Sequence, residues 1–160
     1  MNELRLRLAI RAIVLDEDER VLLVRFDFGD RVVWATPGGG IEDRETDEQT
    51  LRRELLEEAG LEDFELGPLV WTRTHEFPLA GGRWDGQIER YYVVRTSAFE
   101  PTPQLSWEEL LREGMTGVRW WTLRELEAAA ETVFAPRRLP SLVRSLVEDG
   151  LPAQPIDAGV

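Results

Sequence analysis

The stretch from Pro37 to Leu61, PGGGIEDRETDEQTLRRELLEEAGL, passes from three consecutive glycines directly into a strongly acidic helical pattern. On a helix, Leu51, Leu55 and Ala59 make one apolar stripe with Leu56 at its edge, while Glu54, Glu57 and Glu58 stack on the opposite side. Thr46 with Gln49 three residues later has the form of a capping box, and Gly60 is placed to end the helix. The chain must therefore offer an apolar platform to one face of this helix and accommodate a concentrated negative charge on the other.

Carboxylates at i, i+3 and i+4 lie roughly 5–6 Å apart at Cβ and repel one another unless a positive charge lies between them. A run of glutamates is ordinarily a solvated helix face. Where such a cluster does hold a cation, oxygen-only ligands in a chain without cysteine suit Mg²⁺ or Mn²⁺ and disfavour zinc.

The spacing favours the second reading. Gly39, five residues, Glu45, seven residues, then Arg53, Glu54, Leu55, Glu57, Glu58, Gly60 and Leu61 resembles the Nudix box at every specified position from Gly39 to Leu61. The resemblance implies that Glu57 and Glu58 are direct metal ligands and that Glu54 is a ligand or takes a proton from water. It further implies that the carbonyl of Gly39 or its neighbour joins the metal shell. Glu45 and Arg53 are expected to form a salt bridge between loop and helix. Elementary electrostatics agrees, since Glu45 precedes the first helical turn and Arg53 can reach back to it.

Two residues depart from the usual pattern. Arg44 stands where many members have glycine, which bears on the backbone angles of that loop, and Thr50 stands where a small residue is usual.

The implied fold is α/β (α+β), an αβα sandwich with a mixed sheet between helices, expected as a single domain over 1–160 with a C-terminal helix and tail from about 136. The implied activity is metal-dependent hydrolysis of a diphosphate bond in a nucleoside diphosphate linked to another group: a nucleoside triphosphate, nucleotide sugar, ADP-ribose or dinucleoside polyphosphate. Arg53, Glu54 and Glu57 make the core of the expected catalytic set. The family often recruits one later acid, for which Glu113 is the first choice, ahead of Glu89, Glu108 and Glu109. The alternative is a Nudix domain that binds a nucleotide-like ligand or a protein without cleaving it, although such domains usually lose box glutamates. Many members pair, so a homodimer is compatible with the resemblance.

Composition narrows the rest. A net charge of −12 opposes nonspecific binding to nucleic acid or to an anionic membrane, because counterion release needs a basic face. It does not oppose a small metal-bearing polyphosphate. All 19 basic residues are arginine, which excludes a Walker lysine and a Schiff base. The lack of cysteine fits a reducing cytoplasm, and no run approaches the ~20 apolar residues of a membrane span. Arg25, Arg31, Arg73 and Arg90 are the candidate phosphate-binding residues, since planar bidentate donors suit phosphate. Phe28, Trp71, Trp84 and Tyr91 could stack a nucleobase, though aromatic residues more often pack cores. His75, the lone histidine, leaves a two-histidine metal site unsupported. Pro78, seventeen residues past Leu61, is a faint similarity to members acting on ADP-ribose.

Along the chain, residues 4–15 read as a strand with a wet face of Arg5, Arg7 and Arg11, joined through DEDER to a second strand at 21–26 as a hairpin. Short strand signals follow at 32–36, with Trp34 in the core, and mixed ones at 64–77, broken by Gly67 and Pro68. Residues 80–86 read as a loop, 88–96 and 117–122 as strands. Ser106 and Thr122 open short helices, and Pro140 to Asp149 forms the last one.

Overall fold

The computed structural model describes residues 3–79 and 82–160. Its sheet begins with β1 (Leu6–Leu15) and β2 (Val21–Asp27), an antiparallel pair in which Leu15 faces Val21. The DEDER turn between them closes on Asp16, whose carboxylate accepts the amides of Asp18 and Arg20. β3 (Val32–Ala35) pairs with β2, and β4 (Gly38–Gly40) pairs antiparallel with β1. After α1 (Asp47–Ala59), the long strands β5 (Glu65–Leu79) and β6 (Trp84–Arg95) form an antiparallel pair, and β6 runs parallel to β1 along its whole length. Next come α2 (Trp107–Arg112), β7 (Met115–Trp121), α3 (Leu123–Ala128), β8 (Val133–Ala135), α4 (Leu139–Asp149) and β9 (Ile156–Asp157). The mixed sheet has the order β8-β3-β2-β1-β6-β5-β9, with β4 added beside β1 and β7 beside β2.

Strand alternation sends the side chains of β1 to two cores. Ile10, Ala12 and Val14 meet Leu51, Leu55 and Ala59 of α1 on one face. Ile13 and Leu15 join Trp71, Tyr91, Trp121, Phe134 and the α4 residues Leu139, Leu142, Val143 and Leu146 on the other. Helices thus cover both faces of a mixed sheet, as the resemblance implies. Among the described residues no helix is long and apolar enough to cross a membrane.

Several expectations change in detail. Gly67 and Pro68 do not break the strand; the chain absorbs them as register shifts between Leu66, Leu69 and Trp71 within a continuous β5. The glycine turn at 38–40 is itself a short strand. β8 and β9 have no sequence signature of their own, being three and two residues long, and take strand form by pairing with β3 and β5. The tail is docked, with Ala158 fully buried and its amide donating to the Thr72 carbonyl. Ala80 and Gly81 of the expected loop, and the Pro78 side chain, lie outside the described residues.

The ends of α1 follow the expected chemistry. Thr46 and Gln49 form a complete capping box. Gly60 ends the helix in the left-handed region at φ 71°, and a Cβ there would collide with the carbonyl of Thr102. A left-handed L residue costs about 1–2 kcal/mol before any collision. Gly60→Ala should therefore destabilise the fold by about 2 kcal/mol or more, measured as a lower urea midpoint with an unchanged m-value.

Candidate active site

α1 presents its acidic face to the three-residue strand β4, and the glycines make the contact close. The Gly38 amide donates to Glu58 Oε1 at 2.8 Å, and a Cβ on Gly39 would overlap the carboxylate of Glu54. Arg53 organises this corner. Its Nε and Nη2 donate to the two oxygens of Glu45 at 2.8 and 2.9 Å, Nη1 donates to Glu54 at 2.9 Å, and Nη2 reaches the Gly40 carbonyl at 3.1 Å. Glu57 lies 3.6 Å from the same guanidinium. The expected Glu45–Arg53 bridge is present, and Thr50 supports it, its hydroxyl donating to Glu45 Oε1 at 3.0 Å. Hydrogen bonds from Arg53 pull the Glu45 carboxyl down to about 2 and, with Glu54, hold Arg53 above its ordinary value. At the variant loop position, Arg44 adopts the glycine-like φ of 66°.

The box glutamates shift the other way. Burial raises Glu54 and Glu57, with Arg53 opposing; Glu57 adds to the rise in Glu54, and Glu113 to that in Glu57. Glu58, 3% exposed, is pushed up to about 8 by burial and then by Glu54. A corner in which three carboxylates all resist ionisation is short of positive charge. Its donors are oxygen only, so it fits a hard divalent cation in charge and in ligand type. Among the described residues no three acidic side chains stand grouped as a ready-made metal cage. Glu54 is turned to Arg53 and Glu58 to the Gly38 amide.

A second charged network lies across the β1–β6–β5 ladder. Arg11 donates to Glu89 at 2.7 Å and to the Gly38 carbonyl at 2.8 Å; Arg73 donates to Glu89 at 2.5 Å and to the Gly159 carbonyl at 3.1 Å. Burial would raise Glu89, but Arg11 and Arg73 outweigh it and hold the carboxyl below its ordinary value. Both oxygens of Glu89 are engaged, so it serves as the anchor of two arginines rather than as a late ligand.

Of the four candidates for a late acid, Glu113 is the one whose charge is felt at the box glutamates Glu57 and Glu58. It caps α2 and is exposed. Glu108 pairs with Arg112, and Glu109 is engaged with the Ser106 cap.

The four candidate phosphate arginines separate. Arg73 is 7% exposed and locked between Glu89 and the tail, which removes it from the set. Arg90 is held by Asp47 at 3.2 Å. Arg25 donates to Thr116, and the exposed Arg31 lies over the Phe28 ring; neither forms an ion pair among the described residues. Trp71 and Tyr91 are buried against each other in the core, so they offer no face to a base, whereas Phe28 is 53% exposed. His75 is in contact with Arg73. Sequence reading missed Arg7 and Arg11, placing both on a wet strand face; their spacing with Arg5 was the available signal, but not that β4 and β6 would enclose them.

The NUDIX domain model matches residues 5–142. The chain belongs to the NUDIX family. It is 44% identical over 70 residues to the RNA pyrophosphohydrolase of Sulfurovum sp. (strain NBC37-1), covering 41% of this chain and 45% of that one. It is 40% identical over 73 residues to Nudix hydrolase 25 of Arabidopsis thaliana, covering 39% and 41%. The matched region thus spans less than half the length of these curated relatives. The solved NUDIX domain of Shewanella oneidensis NrtR, complexed with ADP ribose, superposes with a TM-score of 0.66 at 21% identity, covering 91% of this chain and 90% of that one. The MutT protein of Methanosarcina mazei Go1 gives 0.66 at 17%, covering 93% and 98%. At these identities the structural matches establish the Nudix fold.

Two outcomes follow for this NUDIX chain. In the metal-free protein, Glu58 keeps its proton on the folded chain up to about pH 8, while the unfolded chain releases it near 4.5. The folded state therefore binds more protons in that window, and its stability should fall as pH rises through it. Urea denaturation in EDTA at about pH 5 and about pH 8.5 should show this loss in the wild type and a smaller loss in Glu58→Gln. Glu89→Gln should cost about 3 kcal/mol of stability by leaving Arg11 and Arg73 without their buried anion, read from the same denaturation curves.

Proposed function

We propose that this chain is a Nudix pyrophosphohydrolase that uses Mg²⁺, or Mn²⁺ in its place, to cleave a diphosphate linkage in a nucleoside diphosphate attached to another group. The observation that carries this reading is the set of three partly or fully desolvated carboxylates on one face of α1: Glu58 bonded to the Gly38 amide of β4, Glu54 against Gly39, and Glu57 beside Arg53, which also binds Glu54. Glu57, Glu58 and the Gly39 carbonyl would hold the ion, with Glu54 able to join them. When bound, the ion supplies Lewis-acid charge to the phosphoryl oxygens and to the attacking water.

The protein's own groups do the remainder. Glu54, with its pKa raised by burial, is suited to take the proton of the attacking water, and Arg53 keeps its carboxylate oriented. The charge of Glu113 adds to the rise in Glu57, which makes it the candidate for the later acid. Arg25 and Arg31 remain available to phosphate, and Phe28 to a base. The cysteine-free composition is consistent with action in a reducing cytoplasm.

A second reading is a domain that binds such a ligand intact, and the ADP ribose complex of the NrtR domain makes ADP-ribose a reasonable ligand for either reading. The complete set of box glutamates favours hydrolysis. Relatives named RNA pyrophosphohydrolase bring an RNA 5′ end into the substrate class. The net charge of −12 opposes extended binding to an RNA backbone, so contact confined to the terminal phosphates fits this chain better.

A panel of ADP-ribose, nucleotide sugars, nucleoside triphosphates, dinucleoside polyphosphates and a 5′-triphosphorylated oligoribonucleotide, assayed with and without Mg²⁺, identifies the substrate by its products. On the substrate so found, Glu57→Gln should lose at least about 100-fold in turnover while keeping the wild-type circular dichroism spectrum. Near-wild-type turnover in that variant, or saturable binding of an uncleaved ligand by the wild type, would reject the hydrolase in favour of the binding domain.

A further inference from the structure

Arg5, just before β1, and Arg7 and Arg11 within it alternate to the same face of the sheet. Two are matched to anions: Arg5 is paired with Asp85 at 3.3 Å, and Arg11 with Glu89 at 2.7 Å. Arg7 is not. Among the described residues its side chain makes one hydrogen bond, a long one of 3.4 Å to the amide oxygen of Gln87, and has no carboxylate within ion-pair distance. Yet it is partly buried, lying flat against Gly40 so closely that a Cβ there would overlap the guanidinium.

That position is informative because β4 is so short and so bare. Glu54 lies over Gly39 and Arg7 over Gly40, and successive residues of a strand face opposite sides. Among the described residues β4 pairs with no strand but β1, and its remaining backbone groups meet Glu58, Arg11 and Arg53. A group at this corner meets a box carboxylate at Gly39 and the Arg7 guanidinium at Gly40. Arg7 also feels the box electrostatically: burial and then Arg11 lower its pKa, while Glu54 and Glu113 act to raise it.

We propose that Arg7 binds a phosphate of the substrate, donating its planar fork to non-bridging oxygens of the diphosphate beside the box carboxylates. The proposal rests on the reading of this corner as a diphosphate-cleaving site, and it adds a substrate-binding residue to it. A partly desolvated cation without an anion is a cost to the folded chain, and a phosphate removes that cost with two parallel charge-assisted hydrogen bonds. Lysine would retain the charge and lose the fork. The glycine at position 40 has a role here as well, since any side chain would displace the guanidinium.

The test is calorimetric titration of the full chain with inorganic pyrophosphate in Mg²⁺, alongside KM and kcat on the substrate found in the panel. Arg7→Gln should bind pyrophosphate at least about tenfold more weakly, with Arg7→Lys between it and the wild type. Arg5→Gln, which removes the same charge from the same strand face, should leave the affinity unchanged. Arg7→Gln should also melt at or above the wild-type temperature, as expected of a residue that serves a ligand rather than the fold. Equal affinities in wild type and Arg7→Gln, equal losses in Arg7→Gln and Arg5→Gln, or no binding by the wild type would each overturn the proposal. The two readings fail separately. Turnover that Glu57→Gln abolishes while Arg7→Gln leaves pyrophosphate affinity intact removes Arg7 and keeps the hydrolase. Affinity that depends on Arg7 in a chain with no turnover removes the hydrolase and keeps the anion site.

Discussion

Three glutamates on adjacent turns of one helix repel one another in a half-dry corner unless donors face them: Arg53 meets Glu54 and Glu57, and the Gly38 amide meets Glu58. One guanidinium reaches Glu45 with two donors, Glu54 with a third and the Gly40 carbonyl as well, so it ties the loop, the helix and the glycine strand together. The direction of the pKa shifts shows where its charge is spent. Glu45 is stabilised as the anion, whereas Glu54 and Glu57 remain raised despite the same neighbour. Arg53 thus satisfies Glu45 fully and Glu54 and Glu57 only in part, which leaves the latter two with capacity for a further positive charge.

Gly38 is where this corner meets the rest of the sheet. Its amide donates to Glu58 and its carbonyl accepts from Arg11, which is fixed by Glu89; Glu89 in turn holds Arg73, and Arg73 holds the Gly159 carbonyl. The position of a helix carboxylate is therefore referred, through the backbone of Gly38 and three ionic side chains, to the docked tail. Such a network is sensitive to each member, because a buried ion pair that loses one partner leaves the other uncompensated. It also explains why Glu89, an acid on the correct side of the motif for a late ligand, is committed to positioning.

The helix, its capping box, its terminal glycine and the Glu45–Arg53 bridge were legible in the sequence because each depends on residues within fifteen positions of one another. The identity of β4 was not, since three glycines read as a turn until β1 is known to lie beside them. The same holds for the arginines. Arg5, Arg7 and Arg11 alternate like a solvated strand face, and only pairing with β6 reveals that Gln87 and Glu89 share that face on the neighbouring strand. Arg73 and Arg90 looked alike as phosphate donors; long-range partners, Glu89 and Asp47, separate them. Local chemistry was readable where the chain is its own context, and failed where a strand far along the sequence supplies the partner.

The same distinction bears on specificity. On the proposed reading the family motif fixes where a diphosphate is attacked, and its residues come from one loop and one helix. The groups around it that could distinguish one substrate from another, Arg7 on β1, Arg25 on β2, Phe28 and Arg31 in the following loop and Glu113 at the end of α2, come from four separate places on the fold. A chain with a strong net negative charge can take an anionic substrate only through such local surpluses of positive charge, because its long-range field is repulsive. Short-range bidentate contacts from arginine meet that requirement better than a diffuse basic surface would. They act within hydrogen-bond distance, after counter-ions on the substrate have carried it past the field.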